Sequence, residues 1–274
     1  MNKVGISLGK DVNLEEEIKC LSEAGINCFE LSAYENKDYS GIGEICKKYN
    51  VETWTAHLPF DYDIDISSLE GTVANDTVKL FTAIMKSVAK EGIRIFVVHP
   101  SSEPIDDSIR EKRMETAMAN LKKLAEEAEK LGAVIAVEDL PRTCLGRNSR
   151  EILRLISADD RLRICFDTNH LLGESIEDFV KNCGHKIITT HISDYDFVDE
   201  RHLLPGEGDI DWASLVDSLD AQGYSGPYVY ELGYTSTNNI ERPKPLCAQD
   251  FKDNFDSLMK REKPALHGGK LLFK

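Results

Sequence analysis

Residues Leu162–His170, which read LRICFDTNH, decide the fold of this chain. An apolar run ending at Phe166 leads directly to Asp167, Asn169 and His170, with no turn residue in between. A buried parallel strand that ends at a functional site has this pattern. Taken alone, the stretch could equally use Asp167 as the N-cap of the following helix.

The same pattern, an apolar run that ends at a polar residue, recurs along the chain. Six further strand-like segments end at Glu30, His57, His99, Glu138, His191 and Glu231. Amphipathic helical segments separate them, and Gly25, Gly92 and Gly132 each follow a helix as a stop signal. Eight strands alternating with eight helices over about 250 residues predict an α/β fold, the (β/α)8 TIM barrel.

The predicted boundaries follow from periodicity and capping signals. The predicted strands are Val4–Leu8, Ile26–Leu31, Val51–His57, Ile93–His99, Ala133–Asp139, Leu162–Asp167, Lys186–Ser193 and Tyr228–Leu232. The predicted helices are Leu14–Ala24, Ile42–Tyr49, Val73–Glu91, Ser108–Leu131, one from the N-cap Ser149 through Ile156, Ile176–Cys183, Trp212–Gln222 and Ala248–Lys260. Residues 1–260 would form one catalytic domain and residues 261–274 a C-terminal tail. A doubly wound open sheet is the alternative, but the SLGKDVN turn after the first strand lacks the GxGxxG pattern.

Composition narrows the class of protein. The chain has 274 residues, of which 41% are hydrophobic, and this is enough for one large core. Seven cysteines without a CxxC pair predict reduced, structural thiols, and no apolar segment approaches the roughly 18 residues of a membrane span. We therefore expect a soluble, cytoplasmic protein without a membrane partner. A net charge of −15 disfavours nucleic acid as a partner.

Two long acidic loops, residues 58–72 and 194–211, interrupt the regular alternation. Long loops in a compact domain are often functional, so we interpret the first as an active-site loop. A solvated surface excursion is the alternative for so acidic a segment.

The polar strand ends predict a metal centre. In a barrel the carboxyl ends of the strands meet at one mouth, which would bring Glu138, Asp167, His191 and Glu231 together. Three carboxylates and an imidazole in one cavity repel each other unless a cation compensates their charge. A ligand set of three oxygen donors and one nitrogen suits Mn²⁺, Mg²⁺, Co²⁺ or Zn²⁺.

These motifs resemble a known family. The matching stretches are AVEDLP, CFDTNH, THISD, RHLLPGEGDIDW and VYELG. They are similar to the xylose isomerase-like barrel superfamily, specifically its sugar phosphate isomerase/epimerase members, over about residues 3–260. The resemblance implies that Glu138, Asp167, His191 and Glu231 hold one divalent ion and that the two glutamates act as acid and base. The implied reaction removes a proton next to a ketose carbonyl through a metal-stabilised enediolate, with epimerisation and aldose/ketose isomerisation both left open.

Other polar residues near the strand ends are candidates for binding the carbohydrate substrate. His170 would bond the substrate or orient Glu138, since it follows Asp167 by three residues. The remaining candidates are His57, His99, His202, Arg201, Glu30, and the apolar walls Trp54 and Phe60. A phosphorylated substrate would need a cationic side chain to bind its phosphate group. Arg142, Arg147 and Arg201 are the candidates, although each could instead be a solvent-exposed arginine of a loop.

Two alternative functions remain. The apurinic endonuclease branch, the endonuclease IV-like phosphodiesterases, has extra histidines at matching strand ends and a similar loop, and it holds a zinc cluster. This resemblance leaves open a second metal ion at His57, His99 and His202, with Glu200 at the position of the loop's acidic ligand. A non-catalytic sugar-binding barrel would be expected to have lost one of the four ligands, yet all four are present. Pairing of barrels into a homo-oligomer is left open as well.

Overall fold

The structure, a computed structural model, describes residues 3–273. Eight parallel strands form a closed barrel in the order of the chain, with β1 pairing to β8. The strands are β1 Val4–Leu8, β2 Cys28–Ser32, β3 Glu52–His57, β4 Ile95–Val98, β5 Val134–Glu138, β6 Arg163–Asp167, β7 Ile187–Ile192 and β8 Tyr228–Tyr230. The helices are α1 Leu14–Glu23, α2 Ile42–Tyr49, α3 Gly71–Val88, α4 Asp107–Lys130, α5 Ser149–Ile156, α6 Ile176–Cys183, α7 Trp212–Ala221 and α8 Ala248–Met259. Short 3-10 turns lie at Ala89–Glu91 and Gly184–Lys186.

The barrel and the order of its elements confirm the predicted fold. Most boundaries shift by one or two residues, because pairing in the sheet starts later than the apolar runs. The N-cap of α5 is Asn148 rather than Ser149, since the Asn148 side chain accepts a hydrogen bond from the Glu151 amide. The predicted glycine stops are correct: Gly25, Gly92 and Gly132 all have positive φ.

One continuous apolar core fills the space between the barrel and its helices. A smaller cluster of Val97, Ala136 and Cys165 packs inside the barrel. All seven cysteines are free, and only Cys20 and Cys247 are exposed. Within residues 3–273, no helix combines the length and apolar character needed to cross a membrane.

A bulge between β2 and β3 changes the direction of one predicted site residue. Phe29 pairs with Thr53, but Glu30 pairs with Thr55, so Trp54 is an extra residue in β3. The Trp54 ring lies 4.9 Å from the Lys3 ammonium, which precedes β1 at the amino end of the barrel. The Trp54 ring thus lies near the amino end of the barrel, and its role as a wall of the sugar pocket stays a prediction.

The loop between β3 and α3 is anchored at its base and exposed at its tip. The Asp65 carboxylate accepts hydrogen bonds from Arg113 at 2.5 Å and from Ser102 at 2.6 Å. At the tip, the Phe60 ring stacks on His99 with a centroid distance of 4.2 Å. The fixed base thus holds an aromatic side chain over the mouth, as expected of an active-site loop.

The C-terminal residues return to the mouth of the barrel. Lys270–Leu271 (β10) pairs antiparallel with Ile240–Glu241 (β9), which lies in the loop after β8. The Phe273 ring then lies 4.0 Å from the Arg201 guanidinium. The tail therefore contacts the long loop after β7, while the proposed division of the chain at residue 260 stays a prediction.

Candidate active site

Four side chains from adjacent strands converge at the mouth. Glu138 and Asp167 are the last residues of β5 and β6, His191 lies near the end of β7, and Glu231 follows β8 directly. Their ligand atoms all lie within 4.8 Å of one another. The strand-end pattern therefore brings together the four residues that were predicted as metal ligands.

Glu30 orients His191 from below. Both side chains are fully buried, and the His191 Nε2 lies 3.0 Å from a Glu30 carboxylate oxygen. The opposite ring nitrogen, Nδ1, faces Glu138 at 3.2 Å and Glu231 at 3.1 Å. A carboxylate that accepts the Nε2 proton leaves the lone pair of Nδ1 free for a metal ion. Glu30 thus contacts His191 rather than the open cavity, and its role in substrate binding stays a prediction.

The atoms around Asp167 fit a bound cation. One Asp167 oxygen accepts a hydrogen bond from the Asn169 amide at 2.7 Å. The other oxygen is buried and has no hydrogen-bond partner among residues 3–273. A buried carboxylate oxygen without a donor is costly, and a metal ion would satisfy it. Three carboxylates and one imidazole are a suitable donor set for a divalent ion.

Two more clusters of possible ligands adjoin these four residues. His57 and His99 place their Nε2 atoms 3.1 and 3.2 Å from the second oxygen of Glu138. On the other side, the His170 Nε2 lies 3.0 Å from Glu200, with His202 at 3.7 Å. Each trio could hold a metal ion of its own.

Backbone carbonyls set the orientation of three of these histidines. The Nδ1 atoms of His57, His170 and His202 lie 2.8, 2.8 and 3.1 Å from the carbonyl oxygens of Leu58, Asp139 and Glu231. A ring that donates its Nδ1 proton to a carbonyl presents Nε2 as an acceptor. All three rings thus direct a possible ligand atom toward the mouth.

The electrostatics of the site couple these groups. Burial alone would raise the pKa of Glu138, but the positive charge of His191 and the hydrogen bonds from His191 and His57 hold it well below its usual value. Burial likewise opposes the charged form of His57, yet the hydrogen bond to Glu138 raises the pKa of His57 to about 9. Burial raises the pKa of Asp167 to about 7, with His170 acting against the shift. In the absence of metal, protonated histidines therefore balance the carboxylates.

The PGEGDIDW segment fixes the loop that presents Glu200 and His202. Asp194 is fully buried, and its carboxylate accepts hydrogen bonds from the Gly206 and Ile210 amides and from the Trp212 indole, at 2.7, 3.1 and 2.9 Å. A Cβ atom on Gly208 would lie only 2.5 Å from this carboxylate. The motif therefore has a structural role, which is to close the loop onto the site.

The arginines predicted as phosphate ligands are already paired. Arg142 lines the mouth, but it contacts the carboxylates of Glu103, Asp199 and Glu200. Arg201 turns away from the mouth, because it pairs with Asp196 at 2.9 Å and packs on Phe273. A role for Arg201 in substrate binding stays a prediction. Arg147 also lies apart from the mouth, with its Nε 3.6 Å from Glu151.

Sequence reasoning missed several residues at this site. Cys165 joins Glu138 and His191 in another possible ligand group, and its position two residues before Asp167 on β6 could have placed it on the inner face. Lys10, Tyr34 and Tyr234 line the cavity from loops that follow strands 1, 2 and 8. No periodic signal marks these loop residues.

Comparison with known proteins identifies what this chain is similar to. The family model described as "Xylose isomerase-like TIM barrel" matches residues 18–251. An uncharacterised protein of Methanocaldococcus jannaschii is 28% identical over 199 residues, which are 69% of this chain and 67% of that protein. The inosose isomerase of Bacillus licheniformis is 28% identical over 172 residues, or 57% of this chain and 60% of that protein. A D-tagatose 3-epimerase-like protein superposes with a TM-score of 0.78 at 23% identity, covering 94% of this chain and 97% of that one.

Proposed function

The chain belongs to the xylose isomerase-like TIM barrel family, and we propose that it is a divalent-metal-dependent isomerase or epimerase of carbohydrates. The relationship to an inosose isomerase and the likeness to a D-tagatose 3-epimerase-like protein support this reaction class. The observation that carries the proposal is the group formed by Glu138, Asp167, His191 and Glu231, in which four ligand atoms lie within 4.8 Å of one another.

The two glutamates are suited to proton transfer. Glu231 lines the mouth with 28% of its side chain exposed, and Glu138 lines the same cavity from the other side of His191. Burial opposes ionisation of Glu231, but the charge of His191 and its hydrogen bond lower the pKa of Glu231 well below its usual value. An ionised carboxylate on each side of a bound substrate could take a proton from one carbon and return it to the same or the opposite face.

The remaining groups would bind and orient the substrate. Asp167 and His191 would complete the set that holds the ion, with Glu30 fixing the ring of His191. When bound, a divalent ion supplies positive charge that polarises a carbonyl group and stabilises the negative charge left after proton removal. The ring nitrogens of His99 and His202 face the cavity and could bond hydroxyl groups. Phe60 covers the mouth and limits the access of water.

Exchange of carbon-bound hydrogen in D2O tests this proposal. Protein loaded with Mn²⁺ would be incubated with a panel of ketoses and inososes, and the signal of the proton next to the carbonyl followed by NMR. We expect Glu138→Gln and Glu231→Gln to slow exchange by at least roughly 100-fold, the usual contribution of a general acid or base. Glu52→Gln is the matched control, since Glu52 is half exposed and pairs with Lys3 at the far end of the barrel. Unchanged exchange in both site variants would contradict the mechanism.

A second candidate is a phosphodiesterase that uses a metal cluster. The observation that favours it is the pair of additional ligand trios, His57–His99–Glu138 and His170–Glu200–His202, on either side of the four-residue group. The charge of the chain disfavours a DNA substrate, and the arginines near the mouth are paired. Binding of two or three zinc ions per chain, together with cleavage of a duplex that contains an abasic site, would support this candidate over the first.

A further inference from the structure

The mouth of the barrel consists of two lobes that meet above the candidate metal ligands. The proximal lobe, about 500 Å³, is lined by His99, Glu138, Arg142 and His170. The distal lobe, about 700 Å³, is lined by Lys10, Glu17, Tyr34, Leu232, Tyr234 and Thr237. Phe60, His202 and Glu231 line both lobes, so the two spaces adjoin each other beside a predicted catalytic glutamate.

The size of the distal lobe points to a ligand larger than one sugar. Pockets of roughly 300–1,000 Å³ enclose drug-sized molecules, and each lobe alone falls in this range. A monosaccharide held by Glu138 and Glu231 would lie in the proximal lobe and at the junction. The distal lobe would then remain free for another part of the same molecule.

The distal lobe presents groups that bind sugar rings. The Tyr34 side chain is 38% exposed, and the Lys10 ammonium lies 6.0 Å from the centre of its ring. Tyr234 lines the same lobe, but its hydroxyl is buried away from the cavity, so the ring offers only an apolar wall. An exposed aromatic face offers a surface for stacking, and an ammonium offers hydrogen bonds to sugar hydroxyls.

The charges around both lobes favour an uncharged ligand. In the proximal lobe, the cation Arg142 already contacts three carboxylates. In the distal lobe, Lys10 forms no ion pair with any residue from 3 to 273, but the Glu17 carboxylate lines the same space. The Glu231 carboxylate lines it as well, so one lysine faces two carboxylates and the lobe provides no net attraction for a phosphate group. A phosphorylated sugar therefore fits this mouth less well than a neutral one.

We propose that the distal lobe is a subsite for the second ring of an uncharged glycoside, stacked on Tyr34 and hydrogen-bonded by Lys10. The reacting ring then occupies the proximal lobe, an assignment that rests on the proposed isomerase or epimerase function. The preferred substrate is thus a disaccharide or similar glycoside rather than a free monosaccharide.

Equilibrium binding tests this subsite without depending on turnover. The Mn²⁺-loaded protein would be titrated calorimetrically with cellobiose, maltose, lactose and trehalose, and with D-glucose and D-galactose as their component sugars. We expect at least one disaccharide to bind roughly tenfold more tightly than its components, a difference of about 1.4 kcal/mol. Tyr34→Ala and Tyr34→Leu, which both remove the aromatic face, should each lower this ratio of affinities toward one. Phe197→Ala is the matched control, because Phe197 is an exposed aromatic residue that lines neither lobe, and it should preserve the ratio.

Several results would overturn the subsite. Equal affinity for disaccharides and monosaccharides would do so, and so would a ratio that is unchanged in both tyrosine variants. Tighter binding of D-fructose 6-phosphate than of any disaccharide, abolished by Lys10→Met, would show that the lobe selects an anion instead. Failure of the proposed isomerase or epimerase function can be distinguished from failure of the subsite. In that case no sugar would show hydrogen exchange, while the ratio of binding affinities would still depend on Tyr34.

Discussion

Replacement of Glu30 by glutamine should weaken metal binding without unfolding the barrel. Glu30 accepts the hydrogen bond from His191 Nε2 at 3.0 Å, and its other contacts are the hydroxyl groups of Ser7 at 2.9 Å and Thr55 at 2.8 Å. Glutamine keeps the size of the side chain and can still accept a hydrogen bond, but it removes the buried charge that fixes the His191 ring. A hydrogen bond to a charged group contributes about 1.5–3 kcal/mol. This corresponds to a loss of roughly 10–100-fold in metal affinity, as for other residues that support a ligand histidine.

Competition with a chromogenic chelator would measure this loss of affinity for Mn²⁺ and Zn²⁺. Circular dichroism and thermal unfolding would establish that the variant remains folded. Glu52→Gln makes the same chemical change on an exposed residue of β3 and should alter affinity less than about twofold. If Glu30→Gln also stayed within about twofold of the original protein, His191 would not depend on Glu30 for its orientation, and our account of the ligand geometry would be refuted.

Three further predictions concern the loop after β7, the thiols and the protonation of the site. Gly208→Ala should lower the free energy of unfolding in urea by about 1–3 kcal/mol, because the new Cβ would meet the Asp194 carboxylate. Gly71→Ala is the control and should cause no loss, since the space around Gly71 is open. Equal stability of the two variants would contradict the packing argument. Burial raises the pKa of Cys28 to about 12, and the thiolate is the reactive form of cysteine. Only the two exposed cysteines, Cys20 and Cys247, should therefore react with a disulfide reagent at pH 8 to 9. Rapid reaction of further thiols in the folded protein would show that the core is more open. Burial lowers the pKa of His191, whereas the carboxylates of Glu231, Glu30 and Glu138 raise it well above its usual value, so the metal-free ring carries a second proton that metal binding must displace. Metal affinity should therefore rise with pH and binding should release protons, as calorimetry in two buffers would detect; affinity independent of pH would contradict this assignment.

Most of the fold could be predicted from the sequence, because the patterns that mark its strands and its helix ends each lie within a short stretch of the chain. Apolar runs that end at polar residues mark parallel strands, and positive-φ glycines mark the ends of the helices. The convergence of Glu138, Asp167, His191 and Glu231 also followed, since the carboxyl ends of barrel strands meet at one mouth.

Side-chain direction could not be predicted where it depends on distant contacts. Trp54 lies beside Lys3 at the amino end of the barrel, where a bulge interrupts the pairing of β2 with β3. Glu30 was predicted near the end of its strand, but β2 continues to Ser32, so Glu30 lies deeper than the ligand residues and contacts His191. Arg201 is held by Asp196 and by Phe273, and the tail that contains Phe273 carries no periodic signal.

Metal analysis of the untagged protein, dialysed without chelator, tests the central claim most directly. We predict about one Mn, Co, Mg or Zn ion per chain, and loss of this ion in Asp167→Ala, because the buried Asp167 oxygen has no hydrogen-bond partner within residues 3–273 and would be satisfied by the ion. Two or three zinc ions per chain would favour the metal-cluster phosphodiesterase. A protein that binds no metal even after the ions are added back would contradict the account and favour a barrel that binds sugars without catalysis.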